Sequence, residues 1–359
     1  MDTRTRYAAF AERIASVSPS YAAWARSVDD ALVGLLDEVP ETKRQPELVF
    51  AVARRLGADP SDPGSLRVLG REARPAFVAA LASATVQAND PRRLGPVVPL
   101  FAALAARVDR PLGLVDAGAA AGLCSIPDRV TLDHRVLGAP LLDARADRAV
   151  VRPSPSGAPG RDVRQEAQTM TVRVHTAVAE PSVHLTVDVS GAVPAPTSTP
   201  ISIGARVALD PNPIDLAEPG AFDRLVEAVP PEATDRTALM REAARATLAA
   251  PPVRLRGTLP GDLDRALDAL PDGVEPVVLT TGTLVYVPGV DRQRFVDRVR
   301  DRGVHWIALE RTGILSGVAA TLPADVDPAD PDAFATASLD GVAMAVSDPF
   351  GVRVRWLRH

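Results

Sequence analysis

One short stretch constrains the fold more than any other: Pro111 to Ile126, reading P-L-G-L-V-D-A-G-A-A-A-G-L-C-S-I. An apolar run of Leu112, Leu114 and Val115 leads into Asp116, then Gly118, three alanines and Gly122. This is the pattern of a buried parallel strand that ends in a tight turn and opens a helix. Glycine and alanine put no bulk in the way of a ligand or a neighbouring backbone. The first amides of such a helix would point outward and favour electron-rich groups. Gly118, Ala119, Ala120 and Gly122 are therefore candidates for holding a nucleotide-type cofactor, with Asp116 beside them. Tight packing of a helix on a strand explains the same G-x-x-x-G spacing without any ligand. The dinucleotide fingerprint G-x-G-x-x-G is absent, as is the G-K-S/T phosphate loop. An acid two residues before the first glycine is closer to the S-adenosylmethionine pattern.

The rest of the chain sets the frame. Its 359 residues can bury a large core, and 46% hydrophobic with 24% charged residues is a soluble globular composition. A net charge of −5 without a basic tract argues against nucleic acid as partner. The lone Cys124 excludes an intrachain disulfide and a cysteine-rich metal site, and suggests a reducing, cytoplasmic setting. The polar start and the lack of a run of about 18 apolar residues give no reason to expect a leader or a membrane span.

Residues 1–110 read as an all-helical cap or lid domain, because apolar positions such as Tyr7, Phe10, Ile14 and Trp24, Val28, Leu32 follow helical spacing. Near its end, Gln87, Asn89, Asp90 and Arg93 gather polar groups just ahead of the central strand. They are either pocket-lining substrate contacts or a solvated, helix-capping loop. Residues 111–359 read as an α/β domain. Thr169–His175 and Ser182–Asp188 alternate apolar and polar residues, which predicts a β-hairpin within an insertion at about 137–200. His175 and His184 on those strands lack a third ligand, so no metal site is expected.

From Ile203 the alternation of strand and helix resumes. Arg206–Asp210 is a strand ending in an acid, which suits the ribose hydroxyls of a nucleotide. Asp210 lies far beyond Asp116, against about 20 residues in a compact nucleotide fold, so an insertion must separate them. Pro276–Thr281 and His305–Glu310 are further buried strands, and Val342–Val346 with Val352–Trp356 make a closing hairpin. The expected class is α/β: a Rossmann-like, methyltransferase-type, mostly parallel sheet with C-terminal antiparallel strands, a helical N-terminal domain and an inserted hairpin.

The motifs R-Q-P-E-L-V-F-A (44–51), V-Q-A-N-D-P-R-R (86–93), D-A-G-A-A-A-G-L (116–123), R-V-A-L-D-P-N-P-I-D (206–215) and H-W-I-A-L-E (305–310) together resemble the DUF2332 family. Its members are bacterial, largely actinobacterial proteins of no assigned function, and its glycine motif is similar to that of S-adenosylmethionine-dependent methyltransferases. The resemblance implies that Gln87, Asn89, Asp90 and Arg93 match the family's polar segment, Asp210 its second-strand acid and Asp215 the aspartate after it. Ala120 and Cys124 stand where the family has serine and asparagine, and Thr280 and Thr281 where a histidine–serine pair is common.

As a methyltransferase, the chain would hold S-adenosylmethionine with Asp116, Gly118, Ala119, Ala120, Gly122, Asp210 and Asp262. Gln87, Asn89, Asp90, Arg93 and Asp215 would meet a small-molecule substrate, and Thr280, Thr281 and Tyr286 would face the methyl-transfer space. The competing expectation is a non-catalytic ligand-binding or regulatory protein on the same scaffold. Oligomeric state and substrate identity are not written in the sequence.

Overall fold

A computed structural model describes residues 2–84, 89–136, 170–195 and 199–358. Six helices come first: α1 (Thr3–Ile14), α2 (Pro19–Arg26), α3 (Asp30–Leu36), α4 (Pro46–Arg55), α5 (Ser65–Glu72) and α6 (Arg74–Ser83). Asp2, Ser18 and Asp29 cap the first three by accepting the amides of Thr5, Tyr21 and Leu32. The six helices close around Phe50, whose ring meets Tyr7, Phe10, Tyr21 and Trp24 edge-on at centroid distances of 5.0 to 5.9 Å. Arg54 on α4 donates to the carbonyls of Glu227 and Val229, and Glu232 accepts from Ser18 and the amide of Ser20. Those bonds tie the helical cluster to the α/β region.

The next helix, α7 (Leu94–Ala105), is apolar on nearly every side, as a helix must be when it is buried all round. It packs into the core on one face of the sheet, in which the described residues supply eleven strands. In chain order the strands are β1 (Leu112–Ala117), β2 (Val130–Val136), β3 (Met170–His175), β4 (Val183–Gly191), β5 (Ile203–Asp210), β6 (Val253–Arg256), β7 (Glu275–Thr281), β8 (His305–Arg311), β9 (Ala335–Leu339), β10 (Val342–Ser347) and β11 (Arg353–Trp356). Between them lie α8 (Ala221–Val226), α9 (Thr234–Ala249), α10 (Leu263–Asp268), α11 (Gly289–Asp301) and α12 (Ser316–Ala319).

Across the sheet the order is β3-β2-β4-β11-β10-β9-β8-β7-β1-β5-β6. The run β6-β5-β1-β7-β8 is entirely parallel, whereas β8 through β11 pair antiparallel. β1 lies at the centre of the parallel run, and its side chains divide by alternation. Leu112 and Leu114 join the core beneath α7 and α9, while Val115 and Ala117 join the opposite core beneath α10 and α11.

The inserted hairpin is corrected by the pairing. β3 and β4 do not touch each other: β2 lies between them, antiparallel to β3 and parallel to β4. Alternating residues fix which face of a strand is buried but say nothing of its partner, and Val130–Val136 adds a strand to those expected. His175 and His184 therefore lie on either side of β2, where His184 pairs with Asp133 and His175 Nδ1 lies 2.7 Å from the Val130 carbonyl. Much of the expected insertion falls outside the described residues.

Phe50→Ala removes the ring shared by four aromatic neighbours. It should destabilise the helical cluster by about 3–5 kcal/mol, read by urea denaturation of the full chain. A loss below about 1 kcal/mol would mean that this ring does not organise the cluster.

Candidate functional site

The carboxyl ends of β5, β1, β7 and β8 converge, and with them Asp210, Asp116, Thr280, Thr281 and Glu310. The glycine loop after β1 does not open a helix. Residues 118–126 form successive turns, followed by a short 3-10 turn at Pro127–Arg129 and then β2. Gly118, Ala120 and Gly122 have φ of 82°, 49° and 76°, and a right-handed helix cannot pass through such left-handed positions.

The loop's amides are also engaged within the protein. Those of Gly118 and Ala119 donate to the Leu209 carbonyl, and that of Gly122 to Ala119. The Ala120 amide donates to Asp210 Oδ2 at 2.9 Å, and the Leu123 amide to Asn89 Oδ1 at 2.7 Å. Asp210 Oδ1 accepts the amide of Asn212 at 2.7 Å. The acid ending β5 thus holds the loop ending β1, and Asn89 holds the loop's far side.

Asp116 is buried under this loop and accepts from Ser125 Oγ at 2.7 Å. Burial pushes its carboxyl up to about 7, the Ser125 bond opposes the rise, and the charge of Asp210 adds to it. Across the loop, Thr283 Oγ1 donates to the Ala117 carbonyl at 2.9 Å, and a Cβ on Gly118 would meet the Thr283 side chain at 2.3 Å. Only glycine fits beneath that threonine. Glu310 fixes the Thr283 turn by accepting the amides of Thr283 at 3.0 Å and Leu284 at 3.1 Å.

Burial raises Glu310 to about 7 against the pull of those amides, the Thr280 hydroxyl and the charge of Arg93. Glu310 was not among the site residues expected from sequence. Its one signal there was an acid closing the apolar strand H-W-I-A-L-E.

The remaining candidates separate. Thr280 is fully buried and accepts from Trp306 Nε1 at 3.2 Å, so it faces the protein interior. The Thr281 carbonyl receives Arg93 at 2.7 Å. Tyr286 lies on the outer rim, 79% exposed. Asp262 closes its own turn by accepting the Thr258 amide at 2.8 Å and pairing with Arg265 at 3.0 Å. Asp215 accepts the Ala217 amide and pairs with Arg254 on β6. Gln87 lies outside the described residues.

Cys124 is buried and donates to the Asp90 carbonyl at 3.5 Å; burial and the charge of Asp116 push its thiol up to about 12, which removes it as a nucleophile at neutral pH. Asp90 is also buried, and burial alone would raise its carboxyl. Its bonds from Arg92 and the charge of Arg236 outweigh that and hold it below the usual carboxylate range. Arg92 and Arg236 had not been singled out in the sequence, where arginine is common throughout.

The chain belongs to the DUF2332 family. That family, described as an uncharacterized protein conserved in bacteria, matches residues 4–356, nearly the whole chain. No curated protein and no solved structure matches it. No helix among the described residues is long and apolar enough to cross a membrane.

Asp116 and Glu310 both hold a proton more tightly when folded than when unfolded. Each therefore weakens folding as the pH rises from the ordinary carboxylate range near 4 towards about 7. Between pH 4 and pH 7 the melting temperature should therefore fall more steeply, or rise less, in the wild type than in Asp116→Asn, whose side chain does not titrate. An unchanged slope in the variant would contradict burial as the cause. Gly118→Ala should destabilise the protein by about 2 kcal/mol or more, through its φ and the collision with Thr283. Wild-type stability in urea would show that Thr283 moves aside freely.

Proposed function

We propose that this chain is a methyltransferase-type Rossmann protein that binds S-adenosylmethionine at the carboxyl edge of its parallel strands and acts on a small molecule. The observation that carries the reading is the order β6-β5-β1-β7-β8, in which the sequence of strands reverses at β1. Doubly wound sheets bind ligands in the crevice outside the strand ends at such a reversal. Here that place holds the Gly118–Gly122 loop, with the β5 acid Asp210 bonded to it. The antiparallel strands following β8 agree with a methyltransferase-type ending of the sheet, although β9 to β11 run on as a simple meander.

S-adenosylmethionine supplies an electrophilic methyl group. The protein's share is to bind and align, and transfer of this kind needs little more than alignment of the reacting atoms. On this reading Asp210, with Asn212 after it, would meet the nucleoside. The loop amides do not offer a ready cradle, because they are donated within the protein, and Thr283 covers Gly118. Close approach to Gly118 therefore requires the Thr283 turn to shift, against the two amide bonds that Glu310 accepts.

That cover favours a second reading: a ligand-binding protein on the same scaffold that does not turn over. Thr280, buried against Trp306, and Tyr286, exposed on the rim, do not assemble a common reacting surface.

Titration calorimetry with S-adenosylmethionine and S-adenosylhomocysteine tests the cofactor, with NAD and ATP as controls. A dissociation constant on the order of micromolar is expected, weakened at least tenfold in Asp210→Asn and preserved or tightened in Thr283→Ala. No binding of either sulfur compound to folded protein would overturn the reading. Binding without methyl transfer to any of a panel of small nucleophiles would favour the second.

A further inference from the structure

Beside the glycine loop, but outside the proposed cofactor position, two arginines share one buried acid. Asp90 is 1% exposed. Arg92 donates to it from Nε at 2.9 Å and from its terminal nitrogen at 2.6 Å, and Arg236 Nε stands 2.9 Å from the same Oδ2 that Arg92 reaches. The two guanidinium groups are therefore separated by no more than those two contacts. Both also lie over the ring of Phe350, at 4.3 and 5.3 Å from its centroid. Arg93 lies close enough for its charge to act on Arg236 as well, and its own hydrogen bond goes to the Thr281 carbonyl.

Two nearby like charges sharing one carboxylate leave a surplus of positive charge. A surface cluster gives the contrast. Arg298 and Arg302 also share Asp264, but Arg302 has Asp268 as a second acid, so that group is balanced. No second acid pairs with Arg92 or Arg236 among the described residues.

Neither terminal nitrogen of Arg236 donates to a protein acceptor among those residues, and the side chains of Arg92 and Arg236 remain 23% and 20% exposed. Donors held in place, lacking acceptors and reachable from solvent are the makings of an anion site. The cluster is also fixed from three sides: by the 89–93 turn, by α9, which carries Arg236, and by the β10–β11 turn, which carries Phe350. Asp348 braces that last turn by accepting the amides of Val352 and Arg353. Such preorganisation lowers the ordering cost of binding.

We propose that Arg92 and Arg236, set by Asp90 and Phe350, form a binding site for a small oxyanion, the phosphate or carboxylate group of a ligand. The site goes beyond the cofactor reading and does not require it, since the anion is taken by guanidinium groups that S-adenosylmethionine need not touch.

The test uses the full chain without cofactor. Inorganic phosphate and acetate are each titrated against sodium chloride at matched ionic strength, read by thermal shift and calorimetry. Phosphate or acetate should raise the melting temperature beyond chloride, and the anion that does so names the ligand's group. Arg236→Gln, which leaves Asp90 paired with Arg92, should weaken that binding at least tenfold, and Arg298→Gln should leave it unchanged. In wild-type protein the same anion should protect Arg92 and Arg236 from phenylglyoxal, read by peptide mass. This second measurement does not depend on any variant folding. Shifts no larger than chloride's, equal binding by Arg236→Gln, or protection spread evenly over surface arginines would overturn the proposal. None of these outcomes bears on S-adenosylmethionine binding, so the two readings stand or fall separately.

Discussion

Side-chain oxygens at the ends of buried strands hold the backbone amides of neighbouring loops, and the candidate site depends on those bonds. Asp210 at the end of β5 takes the amides of Ala120 and Asn212, and Glu310 near the end of β8 takes those of Thr283 and Leu284. Asn89 takes the amide of Leu123. A loop so deep in the protein would otherwise leave amides without water or ladder partners, at a cost of about 1–3 kcal/mol each. The acceptors remove that cost and also select the loop's shape. The left-handed positions at Gly118 and Ala120 turn their amides towards partners on β5, and that at Gly122 turns its amide back to the Ala119 carbonyl.

Burial of acids at these strand ends carries an electrostatic consequence. Asp116 and Glu310 are buried where few charges oppose them, and both are pushed up to about 7. Asp90 is buried as deeply, yet its arginines keep it ionised. Asp90 therefore differs from Asp116 and Glu310 through the arginines that pair with it. Perturbed acids gathered at strand ends are frequent at functional sites. Here Glu310 also has a plain structural duty: it anchors the turn that lays Thr283 over Gly118.

Much of the scaffold is legible in the sequence because buried strands are written as continuous apolar runs. Leu112–Asp116, Arg206–Asp210, Pro276–Thr281 and His305–Glu310 are all strands of the parallel run. The closing antiparallel pair is legible for the same reason. What the pattern does not carry is partnership. The alternation in β3 and β4 is real, but β2 (V-T-L-D-H-R-V) lies between them, and nothing in the alternation of any one strand says which two pair. The glycine-rich stretch is as consistent with a helix start as with consecutive turns, and only the amide partners at Asn89 and Asp210 decide between them. The arginines of the Asp90 cluster are hidden by abundance. Nothing local distinguishes Arg236 from the many arginines that lie on the surface.

Amide hydrogen exchange of the full chain, resolved at single residues, tests most directly whether strand-end acceptors hold the site. The amides of Ala120, Leu123, Thr283 and Leu284 should exchange as slowly as those of Leu114 and Val115 in the central strand, without any ligand present. Exchange at the rate of exposed loop amides would mean that Asp210, Asn89 and Glu310 do not fix these loops, and the account of the site would fail with them.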